Sequence, residues 1–283
     1  MKNGHFVKNT SLFNGSLLFL MSLCTFLVDA AESKKLALHI YTENLPPYNF
    51  KNEEKITGIN IEATRALCEI ADIKCTFELL PWNRAYRNAL DNPNSGIVST
   101  SRLVKRETLF KWIGPLASAN ACFFKLAERQ DIIVSKPSDL LNYKIGMAKD
   151  LAFKDYLVNL GFIPGQNLIL YTRPFGNLRA FKQGRIDLIV GSVNSLPFQL
   201  SEGDIDMQAL SPVFPVPDST VNGNFLALNI NTTDEIYLAL ERAIQDFTSS
   251  GQLERIRAEF QSDHALLEDK KALNAMQKTC LSY

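Results

Sequence analysis

Ser99-Thr100-Ser101, Ser192 and Glu43 each follow an apolar run that reads as a β-strand. In open α/β sheets, ligands bind beyond the carboxyl ends of strands. Small hydroxyl residues there leave room for a ligand and offer hydroxyl and backbone donors. The same serines also read as ordinary turn chemistry, and Glu43 as a solvated strand end. Arg106 carries a planar fork of N–H donors that meets a carboxylate with two parallel hydrogen bonds and stays charged at every relevant pH. Beside Lys105 and Glu107 it equally fits a solvated charge run. Arg102 is open to either reading.

Acid–base catalysis needs a positioned proton donor or acceptor. Glu43 and Asp150 are the candidates, since His39 falls within a strand and His264 in a polar tail. No nucleophile–base pair, HExxH pattern or Cys/His cluster is visible. The sequence therefore points to binding rather than catalysis, without cofactor or metal.

The elements that must position these residues alternate. Residues 36–42 place Leu36, Leu38 and Ile40 on one face of a strand, which Pro46-Pro47 ends. Gly58 precedes a helix with Ile61, Leu67, Ile70 and Ala71 on its apolar face. A strand at 76–80, a helix at 84–90 and a strand at 96–98 follow. The pattern then repeats: strand 144–147, helix 153–160, strand 167–171, helix 178–182, strand 186–190. Such alternation predicts parallel pairing with crossover helices, an α/β fold in two lobes. A strand at 225–230 and helices at 235–248 and 253–260 close the pattern, and residues from 263 read as a loosely attached tail.

The 283 residues suffice for two domains. Thirty Lys and Arg balance thirty Asp and Glu, giving no reason to expect nucleic-acid binding, which shows a basic surplus. Residues 1–30 read as a signal peptide: Lys2 and Lys8 lead, 17–28 is mostly apolar, and Val28 and Ala30 fit small-residue cleavage before Ala31. The other reading is an uncleaved anchor, for which the run is short and holds Ser22 and Thr25. Leu23 before Cys24 disfavours a lipid anchor. Export permits disulfides. Cys68 and Cys75, at a helix end and a strand start, are expected to pair; Cys122 and Cys280 are either two free thiols or a second bridge.

Four motifs in order resemble the family 3 extracellular solute-binding proteins, receptors of polar amino-acid importers. They are Leu38-His39-Ile40-Tyr41-Thr42-Glu43 with Pro46-Pro47-Tyr48; Ser101-Arg102-Leu103-Val104-Lys105-Arg106-Glu107 with Phe110 and Gly114-Pro115-Leu116; Gln183-Gly184-Arg185-Ile186-Asp187; and Ser249-Ser250-Gly251-Gln252-Leu253 through Phe260. The resemblance spans about 34–261. It implies a periplasmic binding protein type II-like fold, two α/β lobes joined by a two-segment hinge near 119–124 and 222–225. Lobe one would comprise 31–121 and 225–262, lobe two 122–224, and 263–283 the tail.

The same resemblance implies a monomeric periplasmic protein that closes on a small polar, carboxylate-bearing ligand and presents it to the membrane permease of an ABC importer. The alternatives are a sensor domain signalling to a membrane partner, or a dehydratase-like enzyme on the same fold. Arg106 matches the family's carboxylate clamp, with Ser99, Thr100 and Ser101 as hydrogen-bonding neighbours. Glu43 matches an acidic residue that meets a ligand amine, and Cys68 and Cys75 match a local disulfide. Tyr48 and Trp82 line the cleft or pack in the core. Lobe two departs from the family: Ser192 stands where amino-acid binders place an aspartate, and Lys149-Asp150-Leu151 where they place Gly-Thr. Either Asp150 or Glu43 meets a ligand amine, or the ligand has none.

Overall fold

The computed structural model describes Met1, residues 35–149, 151–173, 175–217 and 223–263, Met276 and residues 278–280. The signal-peptide reading of 1–30, Asp150, Asn222, His264 and most of the tail therefore lie outside the described residues.

Five strands build the first lobe's sheet: β1 (Ala37–Thr42), β4 (Lys74–Leu79), β5 (Ser95–Thr100), β6 (Phe110–Ser118) and β12 (Gly223–Asn229), in the order β4-β1-β5-β12-β6. A small hairpin of β2 (Phe50–Asn52) and β3 (Lys55–Thr57) lies beside it. The helices α1 (Ile59–Ile70) and α2 (Trp82–Asp91) are the crossovers that let β1 pair in parallel with both β4 and β5.

Side-chain alternation sorts this sheet's two faces. Leu38, Ile40, Val98, Leu226 and Leu228 pack against Ile61 and Leu67 of α1 and Ile236, Leu240 and Phe247 of α6 (Asp234–Ser249). Tyr41, Ile97 and Ala227 face the other way, onto Ala85 and Ala89 of α2. Thr233 caps α6, its side chain accepting from the Ile236 amide, with Asp234 and Glu235 in the first turn. Emptying such a fully buried site as Leu240 costs roughly 2–5 kcal/mol. Helix α7 (Gln252–Asp263) returns to this lobe through buried Leu253.

The chain leaves through Ser118, Ala119 and Asn120 into β7 (Ala121–Leu126). The second lobe has a three-stranded sheet, β10 (Ile189–Ser192), β7 and β11 (Leu210–Pro215), and a parallel pair, β8 (Ile145–Ala148) and β9 (Leu168–Tyr171). Helices α3 (Phe153–Leu160), α4 (Gly176–Lys182) and α5 (Leu196–Glu202) complete it. Strand β7 is its spine. Phe123 faces a cluster with Ile145, Met147 and Leu157, while Cys122 and Phe124 face Phe181, Ile189 and Leu200.

The expected parallel pairing holds for β1, β4 and β5 and for β8 with β9. An isolated parallel bridge also joins Ile145 to Leu188, whereas β12 pairs antiparallel with β5 and β6, and β7 antiparallel with β10 and β11. These are the strands on either side of the two crossings, where the chain enters and leaves a lobe without a crossover helix.

Cys68 and Cys75 are bonded, S–S 2.02 Å. Of the two readings of Cys122 and Cys280, the second bridge is present, S–S 2.08 Å. The tail is accordingly not loose at its described residues: Met276 and Cys280 are buried in the second lobe against the cluster that holds Phe124. Among the described residues, no helix is long and apolar enough to cross a membrane.

Candidate functional site

Where the two lobes meet, the carboxyl ends of β1 and β5 bring Glu43 and Ser101 together, and the 3₁₀ turn Val104–Leu109 sets Arg106 beside them. Arg106 is 8% exposed. Its guanidinium lies 5.4 Å from the Trp82 ring and 5.1 Å from the Tyr86 ring. These two rings stand one helical turn apart on α2, on the same face. Cation–π attraction thus holds the charge without neutralising it.

One Arg106 N–H donates to the Ser101 carbonyl at 3.2 Å, and the Tyr86 hydroxyl takes another. Burial pushes Arg106 below the ordinary arginine value, opposed by Tyr86, Asp155 and Glu43. A guanidinium has five N–H donors, so it keeps donors for a planar anion. Among the described residues no carboxylate forms a salt bridge with it within 4.0 Å.

Glu43 is part-buried. Desolvation raises its pKa to about 7, and the Arg106 charge opposes this. A carboxyl in that range changes charge near neutrality. Two groups of opposite sign therefore stand within the first lobe's wall.

The second lobe contributes polar groups and one ion pair. Lys105, beside Arg106, is bridged to Asp155 on α3. The Ser192 hydroxyl bonds to the Tyr48 hydroxyl at 2.8 Å. Tyr48 is 1% exposed and packs with Ile59 and Ala117, and burial pushes its phenol up. The loop carrying it is shaped by Gly58, whose φ is +121° and where a Cβ would lie 2.5 Å from the Tyr48 carbonyl oxygen. Only glycine fits that position.

The predicted residues thus fall into groups. Arg106, Glu43, Trp82 and Ser101 gather on one wall. Ser99 and Thr100 are fully engaged inside the first lobe. Ser99 donates to Asn49 Oδ1 and accepts from Asn60 Nδ2 at 2.7 Å. Thr100 is wholly buried, its hydroxyl turned to the Ile97 and Val98 carbonyls at 3.4 Å. Both hydroxyls thus donate within the first lobe. Ser192 is likewise engaged by Tyr48. Asp150 lies outside the described residues. Arg102 is exposed and paired with Glu107.

Tyr86, Asn49, Asn60, Asn194, Lys105 and Asp155 join the site unannounced. Only Tyr86 has a sequence signal, its spacing of four from Trp82. Among the described residues, no group of three or more His, Cys, Asp or Glu is placed to hold a metal ion.

The fold is shared with several solved proteins at low identity. A histidine kinase sensor domain with similarity to periplasmic binding proteins superposes with a TM-score of 0.65 at 22% identity, over 79% of this chain and 95% of that one. A Salmonella typhimurium periplasmic binding protein with high arginine specificity gives 0.60 at 16%, over 79% and 98%. The L-cystine solute receptor of Neisseria gonorrhoeae, in its unliganded open form, gives 0.56 at 17%, over 80% and 93%. No curated protein matches the chain significantly. The family model for bacterial extracellular solute-binding proteins, family 3, matches residues 38–263. With this two-lobed fold and that match over most of its length, the chain belongs to the bacterial extracellular solute-binding proteins of family 3.

Proposed function

We propose that this protein is a periplasmic receptor that captures a small polar ligand bearing a carboxylate, an amino acid or a close analogue, and delivers it as a monomer to the permease of an ABC importer by hinge closure. Residues 1–30 would direct export, with cleavage near Ala30. One observation carries the ligand class. Arg106 is buried between two aromatic rings and bonded to a carbonyl and a phenol, and among the described residues no carboxylate stands within salt-bridge distance of it. A buried guanidinium with unused donors is costly unless an anion completes it.

Glu43 would meet a ligand amine when ionised. Trp82 would wall the ligand's apolar stem, and Ser101 would supply a hydrogen bond. Ser99, Thr100, Tyr48 and Ser192 would act through the shape they give the cleft. Asp150 stays a proposed contact on the second lobe. The family and the neighbouring structures are binding proteins, which supports binding rather than catalysis.

The likeness to a kinase sensor domain favours a second reading, in which the same closure signals to a membrane partner. Both readings use one cleft. The test is a thermal-melt panel of amino acids, small carboxylates and short peptides. At 100 times its dissociation constant a true ligand stabilises by roughly 2.7 kcal/mol. A shift confined to carboxylate-bearing compounds is the expected result, and a blank panel overturns the receptor reading.

A further inference from the structure

We propose that Asn49 is a positioning residue of this cleft, tying the main chain at Glu43 to the Ser99 hydroxyl so that the ends of β1 and β5 are held as one wall with Glu43 beside Arg106. The inference rests on the cleft being the ligand site and deepens that reading.

Asn49 is fully buried. Its Nδ2 donates to the Glu43 carbonyl and its Oδ1 accepts from Ser99. Its own backbone is committed elsewhere, since its N–H donates to the Leu45 carbonyl and its carbonyl accepts from the Leu45 amide. The carboxamide is thus the link between loop and wall. The same loop sends the Pro47 and Tyr48 carbonyls to the first amides of α1, at 3.0 and 2.9 Å. Helix, loop and both strand ends are joined in one network.

Ser99 shows why the network is needed. Its φ is +59°, the left-handed region that a serine enters only when its surroundings hold it. Asn49 on one side and Asn60 on the other do so through its hydroxyl. The task demands a donor and an acceptor on one short planar group. An aspartate at 49 would set an acceptor against the Glu43 carbonyl, and a leucine would serve neither partner. Among the described residues, the charged group acting on the Glu43 carboxyl is Arg106.

The test reads the Glu43 carboxyl by carbon-detected NMR titration in the ligand-free, disulfide-bonded protein, with Glu43→Gln assigning the signal. Asn49→Leu removes both bonds. Asn49→Ser is milder and decides the matter if Asn49→Leu does not fold. The expected result is a midpoint about one pH unit lower in either variant, as the carboxyl relaxes toward water and its ordinary value. Asn60→Ala removes only the other bond to Ser99 and should leave the midpoint in place. A lowered melting temperature with an unmoved midpoint in the Asn49 variants overturns the proposal. An equal shift in Asn60→Ala, which would mean general loosening, overturns it too. Because no ligand is used, an unmoved midpoint leaves the receptor reading standing, and a blank ligand panel leaves a moved midpoint standing.

Discussion

Tyr48 and Ser192, 144 positions apart and in different lobes, meet hydroxyl to hydroxyl at 2.8 Å. The Tyr48 proton is committed to the Ser118 carbonyl at 2.9 Å, so Ser192 is the donor in the pair. Asn194 Nδ2 donates to the same phenol at 3.3 Å. A phenol has one proton to give and two lone pairs to fill, and all three are used. Ser118 ends β6, where the chain leaves the first lobe. One hydroxyl therefore joins the first lobe's core, the crossing and the tip of β10.

Tyr48→Phe should cost about 1–3 kcal/mol in urea denaturation, because it removes the donor to the Ser118 carbonyl and the acceptor for the buried Ser192 hydroxyl. Pairing it with Ser192→Ala in a double-mutant cycle should show a coupling of about 0.5–3 kcal/mol. Simple additivity of the two would mean that the lobes are not joined here.

Arg106→Ala should abolish the melting shift given by a carboxylate ligand, and Arg106→Lys should lose most of it, since an ammonium cannot reproduce the two-pronged contact. The ligand-free protein should behave differently. Its Arg106 is desolvated and has no salt-bridged carboxylate among the described residues, so Arg106→Ala should leave the unliganded melting temperature unchanged or raise it. A large loss of unliganded stability would show that Arg106 is structural.

Periodicity makes β1, α1, β4, α2 and β5 readable, because each carries its own alternation of apolar residues. It does not mark β6 or β11. Both hold proline, Pro115 and Pro212, and both lie at a sheet edge, where a missing donor is tolerated. Strand β7 reads as a connector, since it lies at the crossing and pairs with segments far along the chain. Arg106 is legible from its chemistry and motif. Asn49, Asn60 and Asn194 are not, because an asparagine in a loop reads as turn chemistry until its distant partner is known. The bonding of the Ser99 and Thr100 hydroxyls is hidden for the same reason. Sequence places them at a strand end, but only the network shows which way they point.

The two disulfides should differ in weight. Cys68–Cys75 closes a separation of 7 residues and Cys122–Cys280 one of 158. Chain-entropy reasoning assigns them roughly 2 and roughly 5 kcal/mol. Cys280→Ser should therefore destabilise more than Cys75→Ser in urea melts. It should also release Met276 from the second lobe, which limited proteolysis of the C-terminal tail would detect. Equal losses would mean that the long bridge constrains little in the unfolded chain.

Glu43 gives stability a pH dependence whose sign is fixed by the raised pKa. In the unfolded chain its carboxyl ionises near 4.5, and in the folded protein near 7. Below pH 4.5 it is protonated in both states and contributes nothing. Between the two values the folded state holds the proton and the unfolded state has lost it, so stability falls as pH rises. Above 7 the cost is constant, with an upper bound of about 3 kcal/mol, lowered because the part-buried carboxyl keeps some water. Urea denaturation of the wild type and Glu43→Gln at several pH values isolates this from other carboxylates. The glutamine variant should gain on the wild type from pH 4.5 to 7 and hold that gain above it. A cationic ligand should show the reverse trend in affinity, binding more tightly as Glu43 ionises through pH 7. A flat difference in stability would place the Glu43 carboxyl in open water and remove it from the wall beside Arg106.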